Sequence, residues 1–358
     1  MMLQEIIEKV RAGERLSLED GLTLYQSPDL LQIAQLANEV NLKRNGNKVY
    51  FIENLYINPT NVCEAKCAFC GFRRDPDEDG AYTMSMDELL HYVETRITEG
   101  TREFHIVGGH NHTVPFDYYL NTISTLKKHY PNITIKAYTG AEIQFFAQIS
   151  GRTPETILKE LIDVGLDTLP GGGAEILTER YRAKMSPDKA STDGWLEAHR
   201  IAHSLGLKTH ATMLYGSIES LEERLIHMIR VRELQDETKG FMVFIPLAMQ
   251  PRKTSASLKR RTSAMDDMRT IAISRLMLDN FPHIKAYWIN IGPQLTQLAT
   301  QFGASDIHGT LVEERISHAV GALTQSGITR DELKWLIQGA NRVPVERDTF
   351  YNEIKVYA

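Results

Sequence analysis

Short apolar runs alternate with longer amphipathic segments along most of the chain, from about residue 49 onward. The runs have the length and the β-branched and aromatic content of buried strands, and the segments between them have helical periodicity. Repeated strand–helix alternation predicts a parallel sheet covered by helices. Eight such units predict an α/β fold of the (βα)8 TIM-type barrel, and a partial (βα)6 barrel of the six clearest units is the alternative. The predicted strands are 50–57, 103–107, 133–138, 166–169, 208–214, 240–247, 284–291 and 306–309.

The first 48 residues show only helical patterns. The predicted helices are 5–12, 17–26 and 28–43. Ser17 with Asp20 has the pattern of a capping box, and Pro28 stands at an early position of the third helix. We therefore expect residues 1–48 to form an N-terminal helical extension and residues 49–358 to form the barrel with a C-terminal helical segment.

The composition is that of an ordinary globular protein, with 42% hydrophobic and 24% charged residues among 358. A net charge of −6 argues against a nucleic-acid-binding face. No apolar run approaches the roughly 18 residues of a membrane span, and the N-terminus has the pattern of an amphipathic helix rather than of a signal peptide. We expect a cytoplasmic protein, with no nucleic-acid partner and no membrane span.

The three cysteines of the chain, Cys63, Cys67 and Cys70, lie within eight residues just after the first predicted strand. An odd number at tight spacing argues against a disulfide framework. Three thiolates suit a metal centre with one open position, such as a 4Fe–4S cluster whose fourth iron has no protein ligand. A structural zinc site is the alternative, but it normally needs four ligands, so a His would have to be the fourth. A non-catalytic iron–sulfur or zinc-binding protein is therefore the competing class of function.

Polar and Gly-rich elements follow the predicted strands, at the end of the barrel where barrel enzymes carry their active sites. The elements after the second to fifth strands are Gly108-Gly109-His110, Thr139-Gly140-Ala141-Glu142, Pro170 to Glu175, and Tyr215-Gly216. Their repeated placement predicts one site shared with the cysteine loop.

The motif C-x3-C-x-aromatic-C, with Phe69 as the aromatic residue, resembles that of the radical S-adenosylmethionine (SAM) superfamily. The resemblance implies two cofactors, a 4Fe–4S cluster on the three cysteines and SAM, from which the reduced cluster releases a 5′-deoxyadenosyl radical. It implies a set of SAM-binding residues: Phe69 at the adenine, Gly108 and Gly109 at the amino group, Glu175 at the ribose, Arg200 at the carboxylate, and Thr139 and Glu142 in the same pocket. The chain departs from the superfamily's Gly-Gly-Glu element, because His110 stands in place of the Glu. For Arg200, an ordinary surface salt bridge is the alternative.

Later segments resemble one branch of the superfamily, which holds the menaquinone enzymes of the futalosine route and the deazaflavin (FO) synthase subunits. Within it, the chain is most similar to the aminodeoxyfutalosine synthase family. The segments that carry this similarity are 170–176, 211–216, 232–238, 244–248, 283–288, 302–306, 309–314 and 344–349. The related cyclic dehypoxanthinyl futalosine synthases and the FO synthase subunits are the alternatives, and Lys285 to Trp288 carries much of the distinction.

The resemblance implies a carbon–carbon bond-forming transferase that consumes SAM and 3-[(1-carboxyvinyl)oxy]benzoate, an aryl enol ether with two carboxylates. Addition of the adenosyl radical, aryl migration and decarboxylation would give 6-amino-6-deoxyfutalosine. An electron donor such as flavodoxin or ferredoxin is implied as a partner. Cationic candidates for the carboxylates are Arg73, His110, His112, His210, Arg252 and Lys285, and aromatic candidates for the pocket wall are Tyr215, Tyr287 and Trp288. Residues 253–261 are basic and form either a lid or, as charge runs usually do, a solvated loop. No general acid or base is predicted.

Overall fold

The computed structural model describes residues 3–250, 261–310 and 315–357. Arg252 and nearly all of the basic stretch 253–261 lie outside these residues, so the lid hypothesis stays a prediction. Within the described parts, no helix is long and apolar enough to cross a membrane.

The N-terminal helices form as predicted. They are α1 (Leu3–Ala12), α2 (Leu18–Gln26) and α3 (Leu30–Asn45). Ser17 and Asp20 make the capping box of α2, whereas α3 is capped by Asp29, whose side chain accepts from the Gln32 backbone N–H. Pro28 therefore stands before the cap and not inside the helix. The buried faces of these helices join the core cluster that also covers β5 and β6 on the outside of the barrel.

The strands that follow build one curled sheet. They are β1 (Lys48–Ile57), β2 (Glu103–Ile106), β3 (Thr134–Ala137), β4 (Thr168–Leu169), β5 (Lys208–Tyr215), β6 (Phe241–Ala248), β7 (His283–Ile284), β8 (Asp306–Thr310), β9 (Val343–Arg347) and β10 (Glu353–Val356). β1 to β7 pair in sequence order, all parallel. The helices between and after them are α4 (Met86–Glu94), α5 (Phe116–His129), α6 (Gly140–Ser150), α7 (Pro154–Asp163), α8 (Glu179–Met185), α9 (Thr192–Ser204), α10 (Leu221–Thr238), α11 (Ala264–Met277), α12 (Trp288–Ile291), α13 (Pro293–Ala299), α14 (Ile316–Ala319) and α15 (Arg330–Gly339). The predicted α/β barrel is confirmed.

The eighth strand brings the two ends of the sheet together. β8 pairs in parallel with β1, and it meets the chain after β7 through one bridge, Lys285 to Asp306. The backbone N–H of Ala286 donates to the Asp306 carbonyl at 2.8 Å across the same junction. The ring is therefore continuous here, although the ladder between β7 and β8 is short.

The structure corrects the predicted strand 284–291. β7 ends at Ile284, and the chain turns at Tyr287 into the short helix α12. A short apolar run has no periodicity that separates a strand from a buried helix, and this run contains both.

The structure also adds two strands that the sequence analysis did not predict. β9 pairs in parallel with the start of β1, and β10 pairs antiparallel with β9. β9 carries Arg347 to the N-terminal end of the barrel, where its guanidinium donates two hydrogen bonds to Asp306. The C-terminal part of the chain thus places a buried cation next to the barrel interior.

Candidate active site

A cavity of about 300 Å³ opens where the barrel strands end. It is lined by all three cysteines and by every predicted SAM-binding residue except Arg200. These residues are Cys63, Cys67, Phe69, Cys70, Gly108, Gly109, Thr139, Glu142 and Glu175. The structure therefore brings together elements that are more than 100 residues apart in the sequence.

The cysteine loop is held in place by backbone hydrogen bonds to neighbouring loops. The N–H of Cys63 donates to Arg74 at 3.1 Å, and the N–H of Glu64 donates to His110 at 2.9 Å. The N–H of Ala68 donates to Met185, at the end of α8, at 2.9 Å. Because separate elements fix both halves of the loop, its thiols have a defined position before any ligand binds.

The thiols are shielded from water. Cys67 is buried, Cys63 and Cys70 are partly buried, and burial raises the pKa of Cys67 to about 12. Burial also raises the pKa of Cys63. Such thiols become thiolates when a metal supplies the positive charge.

The arrangement of the thiols bears on which metal centre they fit. Within the described residues, no three or more His, Cys, Asp or Glu side chains converge into a group that could hold a metal ion. A structural zinc ion would need a fourth ligand beside the three thiols. A 4Fe–4S cluster can be held by three thiolates with one iron left open, and the three cysteines line one cavity that could hold it.

Gly109 lets the second strand's loop approach the cysteine loop. A Cβ on Gly109 would lie 2.0 Å from the Val62 carbonyl oxygen and 3.0 Å from Cys63 Cβ. Its neighbour Gly108 is less restricted, since a Cβ there would be 3.2 Å from the Thr60 carbonyl oxygen. The Gly-Gly pair therefore has one position that only glycine can occupy.

Thr139 and Glu142 face the cavity from the N-terminus of α6. Thr139 is the N-cap and forms a capping box with Glu142, whose carboxylate accepts from the N–H of Thr139 at 2.7 Å and from that of Gly108 at 3.3 Å. Burial, against these hydrogen bonds, raises the pKa of Glu142 to about 7. This carboxyl group is thus close to a change of charge at neutral pH.

Glu175 is presented by a strained backbone, with φ of +48° in a non-glycine residue. Its carboxylate pairs with Lys189 Nζ at 2.7 Å, and the same ammonium lies 5.5 Å from the centroid of the Phe69 ring. Burial opposes the charge on Lys189, but Cys67 and Glu175 raise the pKa of this lysine above its usual value. The sequence analysis missed Lys189, because one lysine in a polar loop carries no pattern.

Arg200 lies elsewhere. It is on the outer face of α9, where it pairs with Glu237 at 2.8 Å and with Glu197. The structure does not bring it to the cavity, and it forms the surface salt bridge that was its alternative interpretation.

Some of the predicted substrate-binding residues line the cavity and others do not. Arg73, His110, His210, Lys285 and Tyr287 line the cavity. His112 is half exposed beside Glu64, 3.8 Å away. The hydroxyl of Tyr215 donates to Asp267 at 2.8 Å, and the indole N–H of Trp288 donates to the Gly309 carbonyl at 3.1 Å. These last two aromatic residues are core residues outside the cavity lining.

Fold and site together define a class of protein. It is a barrel enzyme whose active-site end carries three thiols next to buried polar residues and a deep, partly aromatic cavity. Comparison with known proteins specifies the class further.

A family model of the radical SAM superfamily matches residues 57–230, and one of the CofH/MqnC C-terminal region matches residues 238–357. The aminodeoxyfutalosine synthase of Thermus thermophilus is 48% identical over 98% of this chain and 96% of its own. The cyclic dehypoxanthine futalosine synthase of Halalkalibacterium halodurans is 35% identical over 100% of this chain and 96% of its own. Among solved structures, methylornithine synthase superposes with a TM-score of 0.71 at 19% identity, over 93% of this chain and 96% of that one, and this likeness concerns the fold.

The chain therefore belongs to the radical SAM superfamily, in the family of the aminodeoxyfutalosine synthases. It is an enzyme of that superfamily, whose members use a 4Fe–4S cluster and SAM.

Proposed function

We propose that this protein is an aminodeoxyfutalosine synthase of menaquinone biosynthesis. It joins the 5′-deoxyadenosyl group of SAM to 3-[(1-carboxyvinyl)oxy]benzoate, with aryl migration and loss of carboxylate, and it yields 6-amino-6-deoxyfutalosine. The observation that carries the proposal is a single cavity that runs from the three thiols to Lys285 and Tyr287. Lys285 and Tyr287 belong to the segment from Lys285 to Trp288, which carries much of the distinction between this family and its relatives in sequence. The higher identity to the Thermus synthase, 48% against 35% for the related cyclase, supports the same choice.

At the upper end of the cavity, Cys63, Cys67 and Cys70 are the proposed ligands of three irons of a 4Fe–4S cluster, which leaves the fourth iron for SAM. When bound, the cluster supplies the electron that cleaves SAM into methionine and the 5′-deoxyadenosyl radical. The chain's own residues position SAM and exclude water from it. Gly109 allows the second loop to lie against the cysteine loop, and Cys67 is buried in the cavity lining.

Polar groups around the thiols fit the parts of SAM. Glu175 offers carboxylate oxygens to ribose hydroxyls, and Phe69 offers an aromatic face to the adenine. Gly108 and Thr139 contribute backbone groups, and Glu142 contributes a carboxyl group for the amino end. Lys189 replaces Arg200 as the proposed partner of the SAM carboxylate, because it lines the cavity and pairs there with Glu175.

The lower part of the cavity fits a flat, anionic co-substrate. Leu214, Ile245 and Leu247 give an apolar wall, and Tyr56 and Tyr287 give an aromatic one. An aromatic ring held between such walls keeps its alkene at a fixed distance from SAM. Addition requires about 3–3.5 Å between the reacting carbons.

The experiment is anaerobic reconstitution followed by turnover. The protein should bind about four irons per chain. With SAM, a reductant and the aryl enol ether, it should form the adenosyl adduct identified by mass. A cysteine-free variant in which the three cysteines are replaced by alanine is the control, and it should bind no cluster and leave SAM intact.

Two results would contradict the proposal. Cleavage of SAM to free 5′-deoxyadenosine, without an adduct, would exclude the addition reaction. Consumption of dehypoxanthine futalosine in its place would assign the chain to the related cyclase.

We also propose a cytoplasmic location and an electron donor such as flavodoxin or ferredoxin, since clustered free thiols suit a reducing compartment. We propose further that residues 1–48 are an extension outside the catalytic barrel 49–358. No described residue of this extension lines the cavity.

A further inference from the structure

The cavity has a floor whose chemistry differs from that of its upper end. On β5, His210, Thr212 and Leu214 all line the cavity. Because strand side chains alternate, these three mark successive levels from the start of the strand toward its end. Lys136 in β3 and Lys285 just after β7 line the same part of the cavity, close enough for their charges to lower the pKa of His210. We call His105, Lys136, His210, Lys285 and His308 the cationic floor.

The buried charges at this level do not balance. Glu103 pairs with Lys136, and both side chains are almost fully buried. The Oδ2 of Asp306 accepts two hydrogen bonds from Arg347, at 2.8 and 2.6 Å, and its Oδ1 accepts the His308 backbone N–H at 2.7 Å. Both carboxylates therefore already have a cationic partner other than Lys285, although Oε2 of Glu103 has no hydrogen-bond partner among the described residues.

Lys285 is the surplus cation. Its Nζ lies 3.7 Å from Asp306 Oδ1, beyond hydrogen-bond distance, while the side chain is 1% exposed. Burial lowers the pKa of Lys285 to about 7, against the opposite effect of Asp306. A buried ammonium without a hydrogen-bonded counter-ion is costly, and an anion in the cavity would supply one.

Three imidazoles around Lys285 have ring nitrogens without partners in the described part of the chain. They are Nδ1 of His105, Nε2 of His210 and Nδ1 of His308. Burial keeps these rings neutral by lowering their pKa. A neutral imidazole still has one N–H, which can donate to a carboxylate oxygen. A buried polar group without a hydrogen bond needs a physical explanation, and for three groups that line one cavity a bound ligand would supply it.

His308 also connects the floor to the aromatic wall. Its Nε2 lies 3.1 Å from the Tyr56 hydroxyl, which lies 3.1 Å from the Tyr287 hydroxyl. The backbone of His308 has φ of +77°, an unfavourable conformation for a side-chain-bearing residue. The fold thus holds this imidazole beside the aromatic wall in spite of local strain.

We propose that the cationic floor is the binding site for the ring carboxylate of an aromatic carboxylic acid, with Lys285 as its ion-pair partner. The aromatic ring lies above it against the wall of Tyr56 and Tyr287, and the vinyl end points up toward SAM. This inference rests on the proposed function and adds to it the orientation of the substrate. Lys136 is a neighbouring charge that Glu103 already engages.

The test is equilibrium binding to the reconstituted protein with SAM and without reductant, so that no turnover occurs. The ligands are the aryl enol ether, its analogue without the ring carboxylate, and its analogue with the vinyl carboxylate converted to an amide. Wild-type protein should prefer the full substrate over the first analogue by about ten- to hundred-fold, the range for a charged hydrogen bond. Lys285→Met should reduce that preference to about two-fold or less, and Lys285→Arg should retain part of it.

Lys208→Met is the matched control. Lys208 is exposed at the start of β5, and its Nζ donates to the Lys239 carbonyl at 3.0 Å, so this variant should keep the wild-type preference. Asp306 retains Arg347 in Lys285→Met, and thermal melting together with iron content should show that this variant is folded. A second measurement uses wild-type protein alone: benzoate should compete with the substrate, and benzamide should not.

Several outcomes would overturn the inference. One is that Lys285→Met keeps the wild-type preference for the full substrate over the analogue without the ring carboxylate, whether its affinity for all three ligands falls equally or does not change. Loss of the preference against the vinyl amide analogue instead would reverse the orientation. Failure of benzoate to compete would also reject the floor as a carboxylate site. If benzoate competes but turnover gives no adenosyl adduct, the proposed function fails while the carboxylate site stands.

Discussion

Replacing Gly109 with alanine tests whether contact between two loops positions the first cysteine. The new Cβ would lie 2.0 Å from the Val62 carbonyl oxygen, where ordinary contact begins at 3.4 Å. The two loops must therefore separate by about 1.4 Å. The obstacle is a backbone carbonyl, so no rotamer change can relieve it.

The cost follows from what must move. Forcing an extra methyl group into a packed site typically costs about 1–3 kcal/mol, and a clash with backbone suggests the upper part of that range. At about 2–4 °C per kcal/mol, the melting temperature should fall by no more than roughly 12 °C. The local effect should be larger than the global one, because the same Cβ also lies 3.0 Å from Cys63 Cβ.

The assay is iron and sulfide content after anaerobic reconstitution, followed by SAM cleavage. Gly108→Ala is the matched control, since the nearest atom to a Cβ at that position would be the Thr60 carbonyl oxygen, at 3.2 Å. We expect Gly109→Ala to remain folded but to load cluster poorly, and Gly108→Ala to load it nearly as well as wild type. If both variants load cluster and cleave SAM equally, the contact does not position Cys63 and the reasoning is wrong.

Three further predictions follow from the same geometry. Lys136→Met leaves the buried carboxylate of Glu103 without its partner, and urea unfolding should show a loss of about 3–5 kcal/mol, whereas the double variant with Glu103→Leu should recover much of it. Lys189→Met should raise the KM for SAM with cluster content unchanged. Arg200→Met removes an exposed ion pair worth about 0–1 kcal/mol and should leave the KM for SAM unaltered. The opposite result for the two variants would assign Arg200, and not Lys189, to the SAM site. The pKa of Glu142 is about 7 when folded against 4.5 normally, so its stabilising effect is complete below about pH 4.5 and is lost as the pH rises through 7. Wild type should therefore lose about 3 kcal/mol relative to Glu142→Gln over that interval, and parallel pH profiles of unfolding free energy would contradict the pKa.

The barrel could be predicted because its signal is repeated. Each unit has a short apolar strand and an amphipathic helix, so an error in one unit leaves the architecture unchanged. The errors fall where the local signal is ambiguous. Residues 284–291 are apolar throughout and contain a strand end followed by a helix. β9 reads Val-Pro-Val-Glu-Arg, and its proline and charges do not predict a strand.

The residues of the candidate site could also be predicted only where the sequence carries a motif. Residues in motifs next to a strand end, such as Cys63, Gly109 and Glu175, reach the cavity as predicted. For Arg200 the prediction rests on resemblance alone, since no motif surrounds it, and its side chain lies on the outer face of α9 beside Glu197 and Glu237. Lys189 and Lys136 could not be found, because their importance depends on partners that only the fold brings close.

Two of the six non-glycine residues with positive φ in the described parts of the chain line the cavity. They are Glu175, beside the thiols, and His308, on the floor. Lys285 is buried, and its Nζ lies 3.7 Å from Asp306 Oδ1, too far for a hydrogen bond. Its neighbours Asp306 and Arg347 are paired with each other. A chain selected for stability alone would avoid these three features, since strain and unpaired buried charge each cost free energy. Their convergence on one cavity indicates that bound ligands complete the barrel interior. We therefore expect the melting temperature of the cluster-loaded protein to rise more with substrate and SAM together than with SAM alone.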